Sequence, residues 1–398
     1  MLKKLLLAGA SVLLTVLLVE VGFRIAGYRP IYDIYSRPEA FWKRDPTLGW
    51  TLRPGSQGTF VGPRPFRILY RTPIRINSLG LRGPEVGEIP SGGRRVLFLG
   101  DSQTAAFEVP EKATFVNLVG EEVSRRRGFP VQAINGGVRG YGTDQTYLLW
   151  RDHLRALRPD VVVYDKVIND VEDNITLHRP KRPFGKAAFG IDGSGTLHLK
   201  GAPIPTYPFC SSVRLDGQFR IRRYDGFRTR ALCWLETNLS DHFASFSFLT
   251  TRLRQNPELI RRLWNAGQAD ADAPTSPPLA PSGSPAPQGP PPDTPMPAGR
   301  PKHEQDPAHR LTSALIEQLA REVQESGAHF VMVASDPDLA ELDVGAFQAS
   351  GIHILRTDPV LGGDQRAYRI PNDGHLNPEG HRKMAELIGP AVESLLPS

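Results

Sequence analysis

Five short apolar runs, four of which lead into a polar loop, are the feature of this 398-residue chain that most restricts its fold. They lie near residues 96, 131, 161, 330 and 352, and helix-forming stretches separate them. Short apolar runs of this kind are typical of strands that are buried on both faces, as in parallel sheets. We therefore predict an α/β fold, a flavodoxin-like three-layer sandwich whose five parallel strands have the order 2-1-3-4-5.

Four of the apolar runs lead into loops that carry different polar groups. The carboxyl ends of parallel strands share one edge of the sheet, where open α/β folds bind their ligands. That edge therefore gathers a hydroxyl, glycine amides, a carboxamide, and an imidazole with a carboxylate. In chain order the loops are Gly100-Asp101-Ser102, Gly136-Gly137-Val138-Arg139-Gly140-Tyr141-Gly142, Ile168-Asn169-Asp170 and Asp373-Gly374-His375.

These groups are the ones that acyl transfer requires. A serine needs a base to take its proton, the base needs an orienting acid, and the tetrahedral oxyanion needs two or three donors. The four segments resemble the four sequence blocks of the SGNH (GDSL-type) hydrolase superfamily, in a membrane-anchored bacterial form. The flanking residues 135–145 and 373–381 agree with the same pattern.

The resemblance implies a role for each matching residue. It implies that Ser102 is the nucleophile, and that the amides of Ser102 and Gly140 and the carboxamide of Asn169 form the oxyanion hole. It implies that His375 is the general base and that Asp373 is its carboxylate partner. The implied fold is the SGNH hydrolase fold, and the resemblance implies no metal and no organic cofactor.

Two positions depart from the family pattern. Ala106 stands where a glycine often follows the nucleophile, and Val167 stands where a glycine often precedes the asparagine. A β-branched residue near Asn169 would narrow the acyl pocket. The departures therefore concern substrate size more than mechanism.

Each site residue also has a plain structural explanation. Asn169 fits an Asx turn, and the loop glycines fit positions that need a positive φ. His375 fits a surface position before a helix that Asn377 caps and Pro378 begins. All these explanations would have to coincide at one sheet edge, so we favour the catalytic interpretation. His381 falls inside the last helix, where we predict a helix-surface or packing role.

The amino-terminal segment predicts a membrane anchor. Leu5 to Phe23 is almost wholly apolar, and in a helix it spans about 28 Å, close to the hydrocarbon core of about 30 Å. Lys3 and Lys4 place the amino terminus in the cytoplasm by the positive-inside rule. We predict a single-pass inner-membrane protein with a periplasmic or extracellular catalytic domain. Glu20 is the residue that fits a membrane span least well, since a carboxylate near the edge of a span must snorkel to the headgroups or pair with another group.

A cleaved signal peptide is the alternative to an anchor. Its apolar core would be about 7 to 15 residues long and would end in a small-x-small site. Ala8-Gly9-Ala10 lies too early, and Arg24 disturbs the later candidate. We therefore favour the uncleaved anchor.

The composition changes along the chain and predicts six segments. Twelve of the 28 positions from Pro274 to Pro301 are proline, so this stretch cannot bury a core. Trp42 and Trp50 precede the segment that contains Ser102. We predict that both pack in the protein interior, which is the usual role of a tryptophan, and the alternative is that they bind the face of a sugar. The segments are an anchor (1–28), a leader packed on the catalytic domain (29–94), the first part of the hydrolase domain (95–171), an ordered insertion near the active site (172–267), a disordered proline-rich linker (268–307) and the second part of the domain (308–398).

Cys210 and Cys233 are the two cysteines of the chain. In an oxidising periplasm they would form one disulfide, which the loop-entropy model values at about 3 kcal/mol. Two buried thiols are the alternative. No paired cysteine motif or histidine cluster accompanies them, so we predict no metal site.

The net charge of +6 and the isoelectric point near 9.3 raise the question of nucleic-acid binding. The basic residues are scattered, with small clusters at 125–127 and 220–223, and no recognition module accompanies them. Export would also separate the chain from nucleic acid. We therefore predict no nucleic-acid partner.

Three functions remain after these exclusions. The first is a serine esterase that hydrolyses an O-acyl ester, by resemblance an O-acetyl ester on a carbohydrate. The second is an O-acetyltransferase of exopolysaccharide assembly, which would share the acyl-enzyme. The third is a non-catalytic carbohydrate-binding or scaffold protein, which the intact set of site residues argues against.

Overall fold

The computed structural model describes residues 2–28, 41–64, 67–224, 226–255, 306–362, 365–371 and 373–397. The chain divides into two compact units. The larger comprises 35–60, 70–229 and 298–398, and the smaller comprises 1–34, 61–69 and 230–297. The predicted proline-rich linker, apart from its last two residues, lies outside the described residues.

The regular elements are numbered in chain order. The strands are β1 (Trp42–Asp45), β2 (Gly49–Leu52), β3 (Gln57–Arg64), β4 (Arg67–Arg75), β5 (Arg94–Gly100), β6 (Val131–Asn135), β7 (Val161–Asp165), β8 (Thr176–His178), β9 (Ala188–Ile191), β10 (Leu197–Lys200), β11 (Val213–Leu215), β12 (Ile221–Arg223), β13 (His329–Ala334) and β14 (His353–Arg356). The α-helices are α1 (Leu2–Ile25), α2 (Ser102–Ala105), α3 (Phe115–Arg127), α4 (Thr143–Leu149), α5 (Asp170–Ile175), α6 (Phe227–Leu235), α7 (Ala244–Gln255), α8 (Pro307–Glu325), α9 (Asp336–Leu339), α10 (Val344–Ala349), α11 (Asp358–Leu361), α12 (Gln365–Tyr368) and α13 (Pro378–Leu395). Single 3₁₀ or π turns cover Glu111–Ala113, Trp150–Leu154, Arg155–Leu157 and Glu236–Ser240.

A five-stranded sheet forms the centre of the larger unit. Its strands lie in the order β6-β5-β7-β13-β14, and all four pairings are parallel. Counted along the chain this is the order 2-1-3-4-5, so the predicted topology is confirmed. Every residue from Val96 to Gly100 on β5 is buried, as is every residue of β7, because both faces of the sheet are covered.

Helices form the layers on the sheet. Val96, Phe98, Val161, Val331 and their neighbours form one core cluster with side chains from α3 and α13. Helices α4 and α5 pack against α8 as a second group, which reaches the sheet at β5 and β13. The three-layer α/β sandwich is therefore the fold of this unit.

The helix ends follow from their capping residues. The Asp306 side chain accepts a hydrogen bond from the Ala308 amide at the start of α8, where Pro307 occupies the first turn. Asn377 caps α13 by accepting from the Gly380 amide, as its sequence predicts. Leu311, Leu315, Leu319 and Val323 recur every four residues along α8 and are all buried, so this apolar stripe makes α8 amphipathic.

The segment before the central sheet is extended. β1 pairs antiparallel with β2, and β3 lies beside β4. Trp42 is fully buried, and its ring lies 5.8 Å from the Phe107 ring between centroids. Trp42 therefore has the packing role.

The smaller unit contains the amino-terminal helix α1. Its segment Leu6–Ile25 has 20 residues and a mean hydropathy of 2.2, so it is long and apolar enough to cross a membrane. A signal sequence near the amino terminus can meet the same criteria of length and hydropathy. Helix α7 belongs to this unit as well.

The two cysteines are not free thiols. Cys210 and Cys233 are both disulfide-bonded. The alternative of two buried thiols is therefore wrong.

Candidate active site

Ser102 begins the short helix α2 directly beyond the end of β5. The Asp101 carboxylate caps this helix by accepting the Gln103 amide at 2.8 Å. At Gly100 φ is +154°, and an added Cβ would lie 2.4 Å from Thr104 Oγ1, so only glycine fits the turn. The turn therefore presents the Ser102 hydroxyl at the carboxyl edge of the sheet.

The Ser102 hydroxyl meets the imidazole of His375. His375 Nε2 lies 2.9 Å from Ser102 Oγ, and His375 Nδ1 makes a short hydrogen bond with Asp373 Oδ1. Gly374 lies between Asp373 and His375 in the sequence. Its φ of +88° lets the loop turn within three residues. The fold thus brings Ser102, His375 and Asp373 into one hydrogen-bonded line.

Asp373 has a second partner that the sequence did not indicate. The Tyr70 hydroxyl, from β4, donates to Asp373 Oδ2 at 2.9 Å. Burial opposes the ionisation of Asp373, but the hydrogen bonds and charge of His375 together with Tyr70 outweigh it and lower the pKa of this carboxyl. Asp373 is therefore ionised at neutral pH and can stabilise an imidazolium.

A second carboxylate lies behind the imidazole. Glu108 Oε1 is 3.5 Å from His375 Nδ1, and its side chain is 1% exposed. Arg139 Nη1 donates to the same oxygen at 2.5 Å, so the Glu108 charge is paired. The sequence predicted no role for Glu108 or Arg139. The two residues lie in separate loops, after α2 and after β6, and no local sequence pattern indicates that these loops are in contact.

Glu108, Asp373 and His375 are the group within the described ranges whose ligand atoms lie close enough to hold a metal ion, within 4.8 Å of one another. Their geometry favours mutual pairing. Arg139 pairs with Glu108, and the imidazole Nδ1 faces Asp373. A cation there would face the Arg139 guanidinium and would compete for the imidazole nitrogen that Asp373 orients.

The loop that carries Gly140 is fixed against the turn that carries Ser102. The Val138 amide donates to the Gly100 carbonyl at 3.1 Å. An added Cβ at Gly137 would lie 2.3 Å from the Ala105 nitrogen, so glycine is needed for this close approach. Gly140 itself has a φ of +80°. The start of the loop that carries the predicted oxyanion donor is thereby held against α2.

Trp50 orients the peptide that precedes Gly140. Its Nε1–H donates to the Arg139 carbonyl at 3.2 Å. The Trp50 ring also makes an edge contact with Tyr141, with the centroids 5.6 Å apart. This contact was not predicted for Trp50, whose indole joins β2 to the loop that carries Gly140.

Asn169 lies beside Asp101, but its amide is already engaged. Its Nδ2 donates to Asp101 Oδ2 at 3.1 Å and to Asp173 Oδ2 at 2.9 Å. It stands at the N-cap position of α5 without making the side-chain capping bond of an Asx turn. To serve an oxyanion, the Asn169 carboxamide must release one of these two carboxylates.

Gln103 links the two halves of the site. Its Nε2 donates to the Gly374 carbonyl at 3.3 Å, and its Oε1 accepts from the Leu376 amide at 3.2 Å. The residue after Ser102 therefore holds both sides of His375. His381, in contrast, is buried in α13 and stacks on Phe115 with the ring centroids 5.6 Å apart. Burial lowers the pKa of His381 to about 3, so its role is packing.

A cavity of about 80 Å³ opens beside Gly140 in the larger unit. Half-buried Trp50 forms part of its wall, and the segment after α5 supplies most of the rest. The lining residues are Trp42, Trp50, Arg139, Gly140, Asp173, Thr176, Leu177, His178, Arg179, Arg182, Pro183, Phe184 and Lys186. The cavity therefore combines aromatic surface with several cationic and polar groups.

Comparison with known proteins gave matches to solved structures. No family model and no curated protein matches the chain. A GDSL-like lipase from Bacteroides thetaiotaomicron VPI-5482 has 11% identity and a TM-score of 0.35, over 78% of this chain and 93% of that chain. A variant of Axe2, an acetyl xylan esterase from Geobacillus stearothermophilus, has 11% identity and a TM-score of 0.34, over 74% and 92%. TesA has 10% identity and a TM-score of 0.38, over 76% and 100%. At such low identities, function has to be argued from the geometry of the site.

Proposed function

We propose that this chain is a serine esterase of the SGNH (GDSL-type) superfamily, which hydrolyses an O-acetyl ester on a carbohydrate. The observation that carries the proposal is the line of contacts from Ser102 Oγ through the His375 imidazole to Asp373. Hydroxyl, base and orienting carboxylate in this order activate a serine for attack on a carbonyl. The line lies at the carboxyl edge of a parallel sheet, where such folds bind their ligands.

Acylation would begin with attack of Ser102 Oγ on the ester carbonyl, while His375 Nε2 takes the hydroxyl proton. The amides of Ser102 and Gly140 would receive the oxyanion, and Asn169 would join them after turning from one of its carboxylates. Asp373 would stabilise the imidazolium. Nε2 would then give its proton to the leaving sugar oxygen as the carbon–oxygen bond breaks, which leaves an acyl-enzyme.

Deacylation would repeat these steps with water. His375 would take a proton from the water as its oxygen attacks the acyl carbonyl, and the same donors would bind the second oxyanion. Collapse would release the carboxylic acid and return the proton to Ser102 Oγ. If a sugar hydroxyl replaced the water, the same steps would give an O-acetyltransferase.

The lining of the cavity beside Gly140 supports a carbohydrate as the group that carries the ester. Trp50 supplies an aromatic surface, and Arg179 and His178 supply polar groups around it. Aromatic faces with a few polar side chains are a combination that suits sugars.

We also propose that α1 anchors the protein in the inner membrane as a single span, with the catalytic unit on the periplasmic side. The segment Leu6–Ile25 has the length and hydropathy for this role. Lys3 and Lys4 precede the span and are the residues that favour a cytoplasmic amino terminus.

The test of the catalytic proposal removes the Ser102 hydroxyl. Ser102→Ala should abolish hydrolysis of an activated acetyl ester and labelling by a fluorophosphonate probe, because the nucleophile is absent. Ser394→Ala is the matched control, since Ser394 is exposed and bonds only locally to the Ala391 carbonyl. If Ser102→Ala kept the parental rate, a binding or scaffold role would replace the enzymatic one.

A second experiment separates hydrolysis from acyl transfer. The full-length protein in detergent or nanodiscs is incubated with an acetylated sugar donor, with and without a glycan acceptor. Mass spectrometry then measures free acetate and the acetylated acceptor. Acetate as the main product in both cases supports the esterase, whereas acetate transfer that depends on the acceptor identifies an O-acetyltransferase.

A further inference from the structure

A buried carboxylate lies inside the apolar helix α1. Glu20 stands roughly 8 Å before the end of this helix at Ile25, at about 1.5 Å per residue. The residue is 8% exposed, whereas most of the apolar side chains before it are exposed. A carboxylate in such a position needs partners, because an unpaired charge near hydrocarbon is costly.

The partners of Glu20 come from the first turn of α7. Its Oε1 accepts the Ala244 amide at 2.9 Å, and its Oε2 accepts the Ser245 amide at 2.9 Å and the Ser245 hydroxyl at 2.7 Å. Arg24, one turn further along α1, donates to Oε1 at 2.7 Å. The first amides of a helix have no partner within the helix and favour negative charge. Glu20 therefore caps α7 from a different helix.

An aromatic contact fixes the same two helices. The Phe23 and Phe248 ring centroids are 4.8 Å apart, and each is 5.7 Å from the centroid of Tyr28. In addition, Arg24 Nη2 donates to the His242 carbonyl at 2.9 Å. Helix α7 is thus attached to the end of α1 by polar and by apolar contacts.

These contacts determine the depth of α7 if α1 crosses a bilayer. A span of the hydrocarbon core takes about 20 residues, which is the whole of Leu6–Ile25. Glu20 then lies roughly 8 Å inside the outer end of the span, at about 1.5 Å per residue, and the first turn of α7 lies at the same depth. Interfacial helices bury their apolar face to a similar depth of about 5–10 Å. Large apolar side chains on α6, directly before α7 and on α7 are exposed, as expected of a segment at a membrane surface: Leu232, Trp234, Phe243 and Leu249 are 61%, 58%, 45% and 52% exposed.

We infer that residues 230–255 form a second, interfacial contact with the membrane, and that the outer leaflet of the bilayer crossed by α1 covers Trp234, Phe243 and Leu249. Tryptophan and other large side chains prefer this boundary between headgroups and acyl chains. The inference rests on the proposed anchor. It also implies that α1 stays attached, because its removal would expose Phe248 and uncap α7.

Photolabelling of the full-length protein tests this inference. The protein is reconstituted in nanodiscs of phosphatidylethanolamine and phosphatidylglycerol that contain a lipid with a diazirine near the acyl carbonyl. After irradiation, peptide mass spectrometry should find lipid adducts both in α1 and between Leu232 and Leu249. Adducts in α1 alone would overturn the interfacial contact and leave the anchor in place, and adducts in neither region would overturn the anchor itself.

A variant of Glu20 tests the attachment. Glu20→Ala removes the acceptors of both α7 amides, so the adduct yield between Leu232 and Leu249 should fall by more than half while the yield in α1 stays the same. Thr15→Ala is the control on the same helix, because Thr15 bonds to the Ser11 carbonyl and is exposed. Hydrolysis of a soluble ester reports that the variant is folded. Unchanged labelling of α7 in the Glu20 variant would contradict the capping role.

Discussion

At the scale of single residues, the indole of Trp50 acts on a group that it does not touch directly. A trans peptide directs its carbonyl and its N–H to opposite sides. The hydrogen bond from Trp50 Nε1 to the Arg139 carbonyl therefore also fixes the direction of the Gly140 N–H, the predicted oxyanion donor. In this way a strand outside the central sheet sets the geometry of a donor that follows β6.

Replacing Trp50 with phenylalanine should lower kcat and leave KM nearly unchanged. The change removes the N–H but retains a ring, and the Val138 amide still holds the loop at Gly100. Loss of a complete oxyanion donor costs about 10²–10³-fold in kcat. A donor that is only misaligned should cost less than its complete removal, so we expect about a 10-fold loss in kcat. Steady-state kinetics with an activated acetyl ester measure both constants.

Trp150→Phe is the matched control for this prediction. Trp150 is fully buried, and its Nε1 finds no hydrogen-bond partner among the residues that the structure describes. The control loses the same atoms without affecting the Gly140 peptide. Equal losses of kcat in the two variants would mean that Trp50 contributes packing alone.

At the scale of elements, α2 depends on contacts from elsewhere because it has only four residues. A helix of one turn has no stability of its own. Asp101 caps its amino end, and Ala106 ends it in the left-handed conformation with a φ of 51°. A residue in this conformation is normally glycine, so alanine is not the most favourable residue here. Arg82, from the leader, donates to the carbonyls of Ala105 and Val109 at 2.7 and 2.6 Å.

Arg82→Met should destabilise the protein strongly, because it leaves these buried carbonyls without donors. Burial lowers the pKa of Arg82 to about 10, so the guanidinium is still charged at neutral pH. A buried acceptor that loses its partner costs about 1–3 kcal/mol, so we expect a loss of about 2–4 kcal/mol in the free energy of unfolding. Denaturant titration followed by circular dichroism measures it.

The control is Arg125→Met on α3. Arg125 pairs with Glu122 at 2.7 Å, but its side chain is 70% exposed. Exposed ion pairs of this kind contribute about 0–1 kcal/mol. A loss for Arg82→Met no larger than that of the control would show that α2 does not depend on the leader.

At the scale of the whole molecule, the buried carboxylates of Asp101 and Asp165 make the free energy of unfolding depend on pH. Burial raises the pKa of Asp101, and it raises the pKa of Asp165 to about 7, assisted by the charge of Asp101. The folded state therefore keeps Asp165 protonated above 3.8, its ordinary value. Between these two values the native state binds more protons than the unfolded state, so stability falls as pH rises and then levels off above pH 7.

Asp165→Asn should remove most of this fall. The asparagine oxygen can still accept the hydrogen bond that the Thr104 hydroxyl gives to Asp165 at 3.1 Å. Between pH 5 and pH 8 the variant should lose less free energy of unfolding than the parent. The difference should be of the order of a few kcal/mol, since each pKa unit corresponds to about 1.36 kcal/mol. Thermal unfolding across this range measures the difference.

Asp192→Asn serves as the control for the pH profile. Hydrogen bonds from Ser194 and His198 lower the pKa of Asp192, which is therefore ionised in both states between pH 5 and pH 8. Its replacement should shift the whole profile without changing the slope. If Asp165→Asn did the same, the slope would have to come from other groups.

The sequence by itself determined the positions of the five central strands, the apolar stripe on α8, the N-cap of α13 and the turn that presents Ser102. Each of these is a local property, since it depends on the periodicity of apolar residues or on a glycine, proline or capping side chain within a few positions. Their agreement along the chain also placed Ser102 and His375 at one sheet edge, because parallel strands align their carboxyl ends.

Only the tertiary structure decided which side chains support that site. Tyr70 meets Asp373 from a distance of 303 residues in the chain, and Trp50 meets Arg139 from 89. No periodicity or spacing encodes such pairs, because the hydrogen bonds form only after separate segments have packed. The role of Glu20 also depends on tertiary structure. In the sequence it is a carboxylate without a partner in an apolar helix, and in the structure it caps α7. A polar group with no local partner has its role set by the part of the fold that packs against it.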